Sequence, residues 1–175
     1  MNLKYNMEDF LKMYYFDHNI PMYIYADHTF DTCVPQQTSL TFPPQKYVDI
    51  LISKSDRISY CATTYGIYFG CLRLDFDITK YLIIGPVSNV PYSKDTLLNM
   101  YRDYVISNEN KDEFHDFLKK IPHITKVSLI SKLMFLNYCI YEEVKNPSDF
   151  LLSNSSPKTL SPEIVQMNYD KKENY

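Results

Sequence analysis

The chain has 175 residues, 45% hydrophobic and 22% charged, which suits one domain with a sizeable core and excludes a chain disordered by composition. Eighteen basic against 21 acidic residues leave a net charge of -3, the wrong sign for a free-standing nucleic-acid binder, though a local basic patch stays open. Only three glycines occur, all between Gly66 and Gly85, so the glycine-rich cradles that hold pyrophosphate are missing.

The opening MNLKYNMEDF has no basic stretch followed by an apolar core, so no signal peptide is expected. No apolar run approaches the ~20 residues of a membrane span. A cytoplasmic chain without membrane association is the expectation. Residues 7–17 place Phe10, Leu11, Tyr14 and Tyr15 at helical spacing. After Pro21, PMYIYA and TFDTCV flank Asp27-His28 and predict a hairpin. Pro35, Pro43 and Pro44 bracket a polar loop, and Pro44 suits the first turn of a helix over 44–54.

Three strands follow. ISYCATTY and GIYFGCLRL meet at a turn with Gly66, and KYLIIGPV is expected to stop at Gly85-Pro86. Gly70 in mid-strand marks a bulge or a close approach by another group. The remainder is helical: 94–106 capped by Ser93, 111–121 capped by Asn110 and ended before Pro122, and a long helix over 126–144. From Asn146 the chain turns polar and proline-containing, which predicts a linker or tail with a short helix at 162–167.

Two strands, a helical crossover and three antiparallel strands predict an α+β fold with a five-stranded antiparallel sheet. The spatial order is 2-1-5-4-3, as in PAS-like and GAF-like domains, with a crossover helix and a carboxyl-terminal helical segment. The crossover helix is expected to bury one face of the sheet, with any pocket between the two.

The chemistry-bearing residues are scattered. Cys33, Cys61, Cys71 and Cys139 form no CxxC pair and read as reduced core residues. His18, His28, His115 and His123 show no i, i+4 pair, and Asp75 and Asp77 lack a third ligand, so neither metal nor cofactor is expected. No catalytic residue is assigned. Seventeen tyrosines and no tryptophan fit either amphipathic rings at surfaces and pockets or a bias in the gene's base composition. Arg73 shares a strand face with Ile67, Phe69 and Cys71. Its stem either lies flat on the wet side of the sheet, or its fork enters the cleft to hold an anionic group, with Tyr23, Tyr60 and Phe69 as walls.

YLIIGPVSNVPYS, read with DEFHDFLKKIPHITKVSLISKLMFLNYCIYEE, resembles the amino-terminal sensing domain of AraC-type transcriptional regulators of low-GC Gram-positive bacteria. The parts that match are the strand Tyr81 to Val87, the capping Ser93, Ile121-Pro122 and the long apolar helix. The early hairpin also looks like the family's opening strand pair. The resemblance covers about residues 8–145 and rests on a pattern of residue types, without a catalytic signature. It implies a sensor over 1–145, followed by a linker or tail from 146–175 toward two helix-turn-helix units, which do not occur within these 175 residues. Few glycines and long helices speak against the cupin sensor of AraC itself.

The resemblance implies a regulatory sensor and dimerisation domain, not an enzyme. A small-molecule effector and a homodimer are the expected partners, with DNA reached only through the helix-turn-helix region. Leu133, Leu136 and Ile140 on the wide apolar arc of the long helix are the expected dimer contacts, unless that arc packs internally. A small cytoplasmic enzyme acting on a small molecule and a ligand-free protein-interaction domain are the alternatives.

Overall fold

The computed structural model describes residues 7–35, 43–54, 56–63, 65–75, 78–89, 91–103 and 106–146. It divides into two units, Met1–Val144 and Lys145–Tyr175, and everything below concerns the first. Most of the polar loop between Pro35 and Pro43, and the expected short helix at 162–167, lie outside the described residues.

The elements run α1 (Met7–His18), β1 (Met22–Ala26), β2 (Thr29–Val34), α2 (Gln45–Ile52), β3 (Ile58–Ala62), β4 (Ile67–Asp75), β5 (Thr79–Ser88), α3 (Lys94–Asp103), α4 (Lys111–Lys119) and α5 (Lys126–Tyr141). The fold is α+β, and the five strands form one antiparallel sheet in the order β2-β1-β5-β4-β3. Local chemistry explains the punctuation. Asp27 and His28 both take positive φ, 47° and 63°, the left-handed pair that a tight hairpin turn requires. Ser93 Oγ accepts from the Thr96 amide at 3.1 Å, and Thr125 Oγ1 accepts from the Ser128 amide at 3.1 Å, so α3 and α5 start on side-chain caps.

Two expectations about element ends are corrected. β5 does not stop at Gly85-Pro86. It continues to Ser88, pairing Val87 with Tyr68 and Ser88 with Ile67 across an irregularity in the register. The bulge takes up the residue that cannot donate to the ladder. Asn110 gives α4 no side-chain cap; a 3-10 turn over Asn108–Asn110 leads into the helix instead.

Both faces of the sheet are covered, where the sequence reading buries one. On the first face, Tyr23, Tyr25, Cys61, Phe69, Cys71 and Ile83 pack in one cluster with Tyr47, Val48 and Leu51 of α2, Met100 of α3 and Phe114 and Leu118 of α4. Ser59 Oγ donates to Leu51 O at 2.9 Å and ties β3 to α2. On the opposite face, α5 packs on β4 and β3. A Cβ added at Gly70 would stand 2.5 Å from Leu133 Cδ1, so the glycine marks the close approach of that helix. α1 lies beside α5, with His18 Nδ1 3.4 Å from Lys132 Nζ.

Two of the three expected dimer contacts are therefore corrected. Leu133 and Leu136 are 0% exposed, buried by their own chain, and Ile140 is half-buried. The wide apolar arc of α5 exists because the helix needs one side for the sheet and a flank for α1.

Candidate functional site

The four residues proposed for a ligand do not converge. Tyr23 and Phe69 do share the face beneath α2, but they are 1% and 0% exposed. Tyr23 meets Phe30 with ring centroids 5.6 Å apart, and Phe69 stacks on Tyr47 at 5.9 Å. The intended cleft walls are packed core. Tyr60 stands opposite Gly70 in the β3–β4 register, which puts it on the other face, where Lys126 lies 5.5 Å from its ring.

Arg73 keeps the face of Phe69 but sits four residues along the strand, opposite Tyr81. Its fork engages Asp75, Nε to Oδ1 at 2.8 Å and Nη2 to Oδ2 at 3.3 Å. Arg57 adds to this rim. Its guanidinium lies 4.3 Å from the Tyr141 ring and pairs with Glu143 at 2.6 Å. The Tyr141 hydroxyl donates to Arg73 O at 3.1 Å and accepts from the Asp75 amide at 2.8 Å. This network joins the end of α5 to the end of β4. Cation, carboxylate and ring meet within it as a structural clasp, with Arg57 Nε buried and without a hydrogen-bond partner among the described residues.

A different place gathers polar groups around an open groove. The groove between α1 and α5, of about 370 Å³, is lined by Tyr14 and His18 from α1 and by Ser128, Ser131, Lys132 and Phe135 from α5. Helical spacing builds it: 14 and 18 form one edge, while 128, 131, 132 and 135 form the other. Tyr14 is 6% exposed, and its hydroxyl has no hydrogen-bond partner among the described residues. A buried polar group left unpaired costs about 1–3 kcal/mol. Burial also raises the phenol's pKa, so it stays a protonated donor at any physiological pH.

His18 sits edge-on to the Tyr14 ring, centroids 4.3 Å apart. Its Nδ1 lies 3.4 Å from Lys132 Nζ and 3.3 Å from Asp17 Oδ2. These two contacts exclude each other. Accepting from the ammonium requires a lone pair on Nδ1, whereas pairing with Asp17 requires a proton there. Lys132 has no carboxylate partner among the described residues. Ser131 Oγ donates to Val127 O at 3.0 Å, a bond its rotor can exchange. Phe135, 54% exposed, supplies an apolar wall.

A larger groove, about 680 Å³, runs between α1 and the edge strand β2. Its charges are already answered, Lys12 by Glu8 at 2.7 Å and Asp31 by Lys80 at 2.8 Å. The α1–α5 groove is therefore the candidate site. Sequence reasoning placed Tyr14 on a helix face and His18 after it, but no local signal joins them to a lysine 114 residues away. The cysteines are far from nucleophilic: burial pushes both Cys61 and Cys71 up to about 12, and raises Cys33 and Cys139 as well. Comparison of the chain with protein-family models, with curated proteins and with solved structures finds no match.

Proposed function

We propose that this chain is the regulatory sensor domain of an AraC-type transcription regulator, taking a small effector and passing its binding to DNA-binding units outside these residues. The observation that carries the reading is the α1–α5 groove itself: a buried donor and an ammonium without a carboxylate partner among the described residues. The strand order 2-1-5-4-3 with its helical crossover supports the PAS/GAF-like assignment. High thiol pKa values and the internally paired Arg73–Asp75 rim favour a binding module over thiol or carboxylate catalysis. The regulator is read as a cytoplasmic homodimer whose contact surface lies away from Leu133 and Leu136.

The test is a chimera. Residues 1–175 are joined ahead of a helix-turn-helix module stripped of its own sensor, and operator occupancy is followed with and without a metabolite library. Occupancy that changes with one metabolite and depends on the fused chain is the expected result. Occupancy indifferent to every addition overturns the reading. The chain without the module should bind duplex DNA weakly or not at all, because its net charge is -3.

A further inference from the structure

The geometry points to the α1–α5 groove as a binding site for a small organic carboxylate with an apolar body. The claim takes the sensing role above as its setting and names the ligand class of that site.

Three features specify the class. Lys132 offers a cation on the groove wall without a carboxylate partner among the described residues. Tyr14 offers a hydroxyl donor that nothing in the described chain accepts, in a side chain more than nine-tenths buried. Phe135 offers an exposed ring beside both. A carboxylate has two oxygens, one for the ammonium and one for the phenol, and an apolar body covers the ring. A neutral alcohol would leave the cation unmatched, and a bare inorganic anion would leave the ring in water. The volume of about 370 Å³ falls at the small end of the ~300–1,000 Å³ range of small-molecule sites. The start of α5, capped by Thr125 at the Ser128 amide, adds the positive end of a helix dipole on the same side.

His18 completes the site as a positioning residue. In the free groove Lys132 donates to His18 Nδ1. A bound carboxylate takes that donor, and the imidazole tautomer that carries its hydrogen on Nδ1 can then donate to Asp17 Oδ2, 3.3 Å away. Binding thus exchanges one hydrogen bond at Nδ1 for another.

The experiment uses the full chain with benzoate, phenylacetate and isovalerate as probes, and with benzyl alcohol and inorganic phosphate as controls. Thermal unfolding and amide NMR read binding. At least one carboxylate should raise the melting temperature saturably and shift the amides of residues 14–18 and 128–135. Benzyl alcohol and phosphate should act at least tenfold more weakly. Lys132→Met should abolish the response, and Tyr14→Phe should weaken it about tenfold, the scale of one hydrogen bond to a charged acceptor. Without ligand, Tyr14→Phe should melt no lower than wild type, because its hydroxyl has no partner to lose. Lys132→Gln serves in place of Lys132→Met should that variant fold poorly.

Any one of four results overturns the site: no saturable response to the three carboxylates, equal responses in the variants, equal responses to the controls, or destabilisation of ligand-free Tyr14→Phe. Binding is read on the chain alone. Its failure therefore leaves the regulatory reading to the chimera, and failure of the chimera leaves the carboxylate site to this measurement.

Discussion

Gly70 shows how one missing methyl sets the distance between a helix and a sheet. A Cβ there would lie 2.5 Å from Leu133 Cδ1 and 3.2 Å from Ile84 Cγ1, and both neighbours are fully buried. Gly70→Ala should cost about 1–3 kcal/mol, the usual scale of overpacking, measured by urea denaturation. Combined with Leu133→Ala, the cost should fall short of the sum of the two, since the second change makes the space the first one needs. Leu136→Lys should unfold the chain and not merely separate subunits, because it strands a charge at a 0% exposed position. A folded Leu136→Lys monomer would contradict this packing. The cysteines give a pH prediction at the same scale. Folding raises Cys61 and Cys71 from a thiol's 9.0 to about 12. Between these values the unfolded chain has lost protons that the folded chain retains, so stability falls as pH rises from about 9 to 12. Denaturant midpoints taken across that range should decline, and native-state alkylation should spare both thiols until the chain unfolds.

Each element owes its limits to a few side chains. The Thr125 cap on the Ser128 amide fixes the start of α5, and Thr125→Ala should cost about 1 kcal/mol, read as a lower denaturation midpoint with an unchanged slope. At the other end Glu142 adopts φ 56° and its amide closes on Tyr138 O at 2.8 Å, so the helix stops three residues before the sequence pattern fades. β5 runs past Pro86 for the opposite reason. Strand pairing on both sides of the bulge outweighs the local signal to stop. Propensity proposes element ends, and the neighbours' hydrogen bonds dispose of them.

At the scale of the molecule, α1 and α5 are the elements that build the candidate site. They cover the face opposite α2 and leave between them a groove with one unmatched donor, the Tyr14 hydroxyl. α2, α3 and α4 instead seal Tyr23 and Phe69 into the core. A ligand would reach those two rings through local opening of that layer, whereas the α1–α5 groove is open as folded.

The sequence by itself determined the element types, the hairpin at Asp27-His28 and the crossover helix after Pro44, because turn residues and apolar periodicity are local; the strand order rests on the likeness of that element order to PAS-like sheets. Strand parity also put Arg73 and Phe69 on one face. Tertiary structure alone decided the rest. Tyr60 fell on the opposite face through its pairing with Gly70. Leu133 and Leu136 turned inward because Gly70 lets α5 approach the sheet. Tyr14, His18 and Lys132 met because two helices distant in sequence bury their flanks against each other. Such meetings depend on which surfaces remain to be covered once the sheet has formed, a property of the packed whole that no window of residues contains.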